Sequence, residues 1–170
     1  PYDSCRLLAI NLFSYVEDPF TTKAKFNYTL FKKHISAAQR IMDDIIDLEL
    51  EKIDAILQKI DADPENEDVK GVERNLWLNI KKKAEEGRRT GIGITAEGDM
   101  LAGLGIKYGS EEGVAFSTEI HKNIALAAYR ASVETAKERF VFSASFYVSN
   151  VIFLVSQPPS VVTERVPGYF

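Results

Sequence analysis

The sequence predicts a mostly helical α/β fold, and three observations predict it. Two short, nearly continuous apolar runs, from Cys5 to Val16 and from Thr90 to Glu97, have the character of buried strands. Three long stretches repeat apolar residues at steps of three and four, the period of an amphipathic helix. Polar breaks carrying proline or glycine separate these segments.

The first run predicts a strand over Arg6–Phe13, buried on both faces, and then a turn at Glu17-Asp18-Pro19. Asn11 interrupts it and would need hydrogen-bonding partners inside. Asn27 stands where the N-cap of a long helix belongs, and the helix is expected over Tyr28–Ile60. Its core-facing stripe is Phe31, Ile35, Ala38, Ile41 or Met42, Ile45, Ile53 and Ile56. A polar loop from Asp61 to Asn66 ends it. The second helix is expected over Val69–Glu86, with Val72, Leu76, Trp77 and Ile80 inward and Gly87 as C-terminal cap.

Thr90–Thr95 is the second predicted strand, followed by a short helix over Asp99–Leu104 that ends at Gly105. Ser110 is placed to cap a third long helix, reaching Arg139, with acidic residues in its first turn. Phe116, Ile120, Ile124, Ala127, Ala128 and Ala131 share one side of it. From Phe140 to Ser156 the chain becomes aromatic and β-branched, then loosens at Gln157-Pro158-Pro159-Ser160. Ser143, Ser145, Ser149 and Asn150 cut that run, which argues against a membrane helix. No internal repeat or low-complexity tract is visible.

Composition sets outer bounds. A chain of 170 residues with 45% hydrophobic content suits one domain with its own core. A net charge of −4 gives no broad attraction to nucleic acid. Lys81, Lys82, Lys83, Arg88 and Arg89 are balanced by Glu85 and Glu86, as on a solvated helix face. The single cysteine, Cys5, excludes an internal disulfide and favours a cytoplasmic setting. No basic region followed by an apolar core opens the chain, and Pro1 in place of Met suggests a start inside a longer protein.

Three motifs invite chemistry. Asp43-Asp44-Ile45-Ile46-Asp47 resembles the first magnesium site of prenyl diphosphate synthases, where carboxylates one turn apart share Mg²⁺. No second aspartate-rich helix accompanies it, so an acidic outer helix face is the preferred reading. Gly91-Ile92-Gly93-Ile94-Thr95-Ala96 matches a relaxed dinucleotide fingerprint, but its glycines fall inside the apolar run. Close backbone packing of a barrel strand explains them better. Cys5 is either a small buried hydrophobe or a redox thiol. His34 and His121 have no companion at ligand spacing, so a zinc or Cys–His site lacks its parts.

Three separated segments, taken together, resemble the large catalytic subunit of ribonucleotide reductases. Cys5-Arg-Leu-Leu-Ala-Ile-Asn11-Leu12 is similar to that family's Cys-Asn-Leu-x-Ser-Ile-Asn-Leu. Arg40-Ile-Met-Asp-Asp-Ile-Ile-Asp-Leu48 resembles its long helix. Arg88 to Asp99, followed by Gly105-x-x-Tyr108-Gly-Ser-Glu-Glu112, looks like its Arg-x-x-Gly-Ile-Gly-x-x-Gly-x-x-Asp region in the wording of the adenosylcobalamin-dependent class. Order and spacing agree from Pro1 to about Arg139. Residues 140–170 depart from the pattern and are set apart as a divergent tail.

The resemblance implies a mostly helical piece of the ten-stranded α/β barrel, residues 1–139, of a vitamin B12-dependent ribonucleoside-diphosphate reductase. Such a parent would reduce ribonucleotides to deoxyribonucleotides for DNA synthesis by thiyl-radical chemistry, with adenosylcobalamin as cofactor. It would be a cytoplasmic homodimer served by a thioredoxin-like reductant, with neither nucleic acid nor membrane as partner. The family's Asn-x-Cys-x-Glu radical motif is absent from this chain, as is the partner of the reducing cysteine onto which Cys5 falls. The isolated chain is therefore expected to be inactive and, with unpaired strand edges, prone to self-association. The alternatives are a helical interaction module without chemistry and a Mg²⁺-dependent prenyl-diphosphate binder using Asp43, Asp44 and Asp47.

Overall fold

A computed structural model of the chain describes residues 2–139. In order they form β1 (Arg6–Asn11), a 3₁₀ turn (Leu12–Tyr15), β2 (Val16–Glu17), β3 (Lys25–Phe26), α1 (Tyr28–Ala62), α2 (Glu67–Gly87), β4 (Thr90–Thr95), α3 (Glu97–Gly103) and α4 (Glu111–Glu138). Helix dominates, with two small sheets. β1 and β4 pair in parallel, from Arg6 opposite Thr90 to Asn11 opposite Thr95. Parallel neighbours need a long crossover, and α1 and α2 supply it. β2 and β3 close a small antiparallel hairpin.

α1 is the axle. Asn27 caps it as expected, its side chain accepting the Leu30 N–H at 2.9 Å. α2 returns antiparallel along it: Asp61 meets Arg74, Asp54 meets Lys81 at 2.5 Å, and Asp43 meets Arg88 at 2.6 Å. α4 runs parallel to α1. Tyr28 and Phe116 approach near the two starts, and Arg40, further along α1, binds Glu138 at the end of α4. The core lies where α1, α4 and the β1–β4 pair converge, on Phe31, Ile35, Met42, Ile92, Ile120 and Ile124. Each such side chain contributes about 1.5–3 kcal/mol when fully buried. Tyr15 and Phe26 extend it with edge-on ring contacts to Phe31 at 5.0 Å.

Several expectations need correcting. β1 ends at Asn11, two residues early, because the chain tightens into the 3₁₀ turn that packs on α3. Nor is β1 buried on both faces: Arg6 and Ile10 point inward, while Leu7 is 61% exposed. Among the described residues only α1 covers this sheet substantially, so the opposite face is open. Asn11 lies on that open side and needs no buried partner. Midway along α1, Met42 and Ile46 are buried, whereas Ile41 and Ile45 point outward. Over 35 residues a 3.6-residue helix drifts against a seven-residue pattern, which moves the inward face by one position.

α2 begins at Glu67, capped by Asn66; Lys70 and Ala84 are buried and Trp77 and Ile80 half-buried, whereas Val72 and Leu76, expected inward, are exposed. Gly87 is its last residue, and the left-handed cap falls on Arg88 at φ 39°. α3 starts at Glu97, two residues before expectation, because Ala96 adopts φ 59° and turns the chain straight out of β4. Gly105, at φ 74°, follows its end as predicted. α4 matches closely: Ser110 Oγ accepts the Gly113 N–H at 3.1 Å, and Ile120, Ile124 and Ala128 are buried.

No closed barrel is present among the described residues; each sheet has two strands. The boundary expected after Arg139, the apolar run from Phe140 and the tail lie outside them. No helix among the described residues is long and apolar enough to cross a membrane.

Candidate functional site

The parallel register brings the first and third sequence motifs side by side. Because Arg6 faces Thr90, Cys5 lies beside Arg89 where the two strands begin, and the Arg6 N–H donates to the Arg89 carbonyl at 3.1 Å. Three charged side chains, Arg6, Arg89 and Asp3, act on the partly buried thiol. Arg6 reaches inward to Glu49 on α1 and donates to the Ser4 carbonyl at 3.1 Å. Arg89 Nε lies 2.8 Å from an Asp3 carboxylate oxygen. Burial pushes the Cys5 thiol above its ordinary range; Arg6 and then Arg89 pull it down, and Asp3 pushes it up.

Sequence reasoning named Cys5 alone and missed both Arg6 and Arg89; the nearness of Arg89 depends on a pairing between residues far apart in the chain. It also missed Glu49. A signal existed, because Glu49 continues the buried α1 series Met42, Ile46, Ile53 at steps of four, three and four. A carboxylate on such a stripe needs a cation, and Arg6 supplies one.

The acidic motif on α1 is engaged elsewhere. Arg88 binds Asp43 at 2.6 Å and Asp47 at 2.8 Å, and also donates to the Asp43 carbonyl at 3.0 Å. Arg139, at the end of α4, binds Asp47 at 2.6 Å and further contacts Asp43 and Asp44. Burial works against the Arg88 charge, but Asp43 and Asp47 outweigh it and hold the group above its usual value. All three carboxylates thus serve two guanidiniums that tie α2, β4 and α4 to α1. This arrangement corrects the magnesium reading, because a cation would have to displace both arginines. The acidic-face reading is corrected only for Asp43, which is largely buried; Asp44 and Asp47 are about half exposed. Among the described residues no cluster of three or more metal-ligating side chains is present.

Gly91 and Gly93 lie within β4, not in a turn after it, so they make no phosphate cradle. Close packing is not the reason for Gly93, where an added Cβ would meet only the Leu8 carbonyl oxygen at 4.0 Å. β4 is instead tied to α1 by Thr90, which hydrogen-bonds buried Gln39 at 3.1 Å. The lysines of α2 pair with Asp54, Glu85 and Glu86, as a solvated face should. His34 Nδ1 meets the Tyr15 hydroxyl at 3.1 Å, and both ring nitrogens of His121 are buried without a partner. The two histidines form no joint site.

Comparison with known proteins gives this geometry a context. The ribonucleotide reductase barrel domain matches residues 1–155. The chain is 29% identical over 144 residues to a vitamin B12-dependent ribonucleoside-diphosphate reductase of Mycobacterium tuberculosis (strain CDC 1551 / Oshkosh), covering 85% of this chain and 17% of that protein. It is 28% identical over 144 residues to a protein of the same description from Thermoplasma acidophilum, covering 85% and 15%. It is 30% identical over 140 residues to a ribonucleoside-diphosphate reductase subunit alpha of Chlamydia pneumoniae, covering 82% and 11%. The chain spans at most about a sixth of the length of these relatives.

Proposed function

The chain belongs to the ribonucleotide reductase barrel-domain family, and from that premise we propose that it is a piece of the catalytic subunit of a vitamin B12-dependent ribonucleoside-diphosphate reductase. The supporting observation is the match to relatives so described along 85% of the chain. The parallel β1–β4 pair then represents two neighbouring strands of the ten-stranded barrel, with α1, α2 and α4 as its outer helices. The parent reduces ribonucleotides to deoxyribonucleotides for DNA synthesis, as a cytoplasmic homodimer recharged by a thioredoxin-like protein.

Cys5 is one of the two reducing thiols. When it closes a disulfide with a second cysteine of the parent, the pair gives up two electrons and two protons, and the ribose hydroxyl leaves as water. An external dithiol then reopens the disulfide by exchange. This chain holds one cysteine, so it cannot complete that step alone. The radical cysteine and its glutamate belong to a motif that these 170 residues do not contain.

Adenosylcobalamin is the cofactor the relatives' description implies, and it generates the radical when bound. Among the described residues no imidazole is open to ligate it, since His34 engages Tyr15 and the His121 nitrogens are shut inside the packing.

The test is Cys5→Ser in the full-length parent. At most about one turnover is expected with thioredoxin or dithiothreitol, while radical formation from adenosylcobalamin survives. Sustained multiple turnover by the serine variant would return Cys5 to the role of a small buried hydrophobe.

A further inference from the structure

We propose that one side of α2 is a surface for a second copy of the chain. Two copies pack α2 against α2 antiparallel about a twofold axis, interleaving Val69, Val72, Leu76 and Ile80, with Glu65 of each copy facing Lys83 of the other. The sequence spaces these apolar residues at steps of three, four and four, which sets them in one row along α2 over about 16 Å. α1 is met by a different row of the helix: Lys70 donates to the Asp61 carbonyl, Arg74 binds the Asp61 carboxylate and Lys81 binds Asp54. Val69, Val72 and Leu76 are therefore exposed, and Ile80 is half-buried. Among the described residues only α1 packs substantially on α2, so nothing else in them covers the row.

A second copy fits because the row is complementary in charge to itself when reversed. Lys83 continues it three residues beyond Ile80, and Glu65 stands at the other end, one residue before the Asn66 cap. The Glu65 N–H donates to the Asp63 side chain at 3.1 Å, which holds that residue at the helix start. In an antiparallel pair Val72 meets Leu76, Val69 meets Ile80, and each glutamate meets a lysine. In a parallel pair like charges would meet. Lys83 is about half exposed, and its partner is Glu86 on the same helix at 3.3 Å. So exposed a pair exchanges for an intermolecular one at little cost. Identical patches that meet about a twofold axis close on themselves and stop at two copies. One helix row per copy is small beside the about 1,200–2,000 Å² of a stable interface, so association belongs in the micromolar range. The inference rests on α2 and does not depend on the role of Cys5.

The test measures association of the 170-residue chain by sedimentation, with Leu7→Lys in every sample to suppress contact through the strand pair. Val72→Lys should weaken the pair by about tenfold or more, since each copy loses a buried valine and gains a charge. Glu65→Lys and Lys83→Glu should each weaken it about threefold by setting like charges together, and the double reversal should restore it to within about twofold. Circular dichroism checks the fold of each variant; if Val72→Lys is not folded, the charge reversals decide. A Leu7→Lys chain that stays monomeric at high concentration, or whose association ignores Val72→Lys, would overturn the interface and leave the row to another part of the parent or to a different protein. Single reversals without effect, or a double reversal that does not restore association, would overturn the antiparallel pairing.

Discussion

Arg88 Nε lies 2.6 Å from Asp43 Oδ1, and this contact holds a non-glycine residue at φ 39° at the junction of α2 and β4. An L-residue in the left-handed region costs about 1–2 kcal/mol. The ion pair offsets it, since both side chains are largely withdrawn from water, at 17% and 13% exposure. Removing one partner strands the other charge.

Asp43→Ala should therefore destabilise the chain by about 2–3 kcal/mol, less than a fully buried pair because water reaches part of the network. The urea midpoint measures it. Asp44→Ala, whose carboxylate is half exposed, should cost well under that. Magnesium at micromolar concentration should leave the spectrum of the acidic helix unchanged, because Arg88 and Arg139 already occupy its carboxylates. A magnesium-dependent shift would restore the prenyl-diphosphate reading.

Ala96→Gly should stabilise the chain by about 0.5–1 kcal/mol. Ala96 holds φ 59° with no side-chain cap, and glycine adopts that conformation without the Cβ penalty. In the pattern that the Arg88–Asp99 segment resembles, a glycine stands at this position. A midpoint that falls instead would mean that the Ala96 methyl contributes more by packing than its backbone costs.

Ile46→Ala should cost about 2–4 kcal/mol and Ile45→Ala under about 1 kcal/mol, since Ile46 is fully buried and Ile45 is 43% exposed. Equal losses would contradict the register of α1. This pair also marks how far the sequence could be read. Helix existence and capping were legible, because Asn27 and Ser110 act through bonds three residues away. The inward face of a 35-residue helix was not, because one position of drift over several turns exchanges neighbouring isoleucines. The site was legible only in part for a related reason. Cys5 stands out as the one cysteine, whereas Arg89, Glu49 and the arginines on the Asp43 motif become neighbours only after β1 pairs with β4 and α4 docks on α1.

Acid should weaken the start of α1. The Glu17 carboxyl is held below its ordinary value by hydrogen bonds from Lys25 and Asn27, and Asn27 is also the helix cap. A lowered folded-state value contributes stability above the ordinary carboxylate range and loses it as pH falls through the lowered value. Glu17→Gln should thus be less stable than the natural chain at neutral pH and show a shallower decline on acidification, measured by urea midpoints at a series of pH values. Parallel declines would assign the acid sensitivity to other carboxylates.

The isolated chain should self-associate. Among the described residues β1 and β4 each have one strand neighbour, so their outer edges keep unpaired N–H and C=O groups. Leu7 on the open face of β1 is 61% exposed, and Val72 on the outer side of α2 is 71% exposed. Both positions were expected to be inward, and an apolar residue that the sequence places inside but the fold leaves outside marks a surface made for a neighbour. A net charge of −4 spread over 170 residues gives limited repulsion between copies. Sedimentation at rising concentration should show a growing associated fraction, reduced in a Leu7→Lys, Val72→Lys double variant because lysine opposes both edge pairing and apolar contact. A monomer at all concentrations with one sharp cooperative melt would contradict this, and would mean that α1 and its two helices cover the strand pair well enough for it to stand alone.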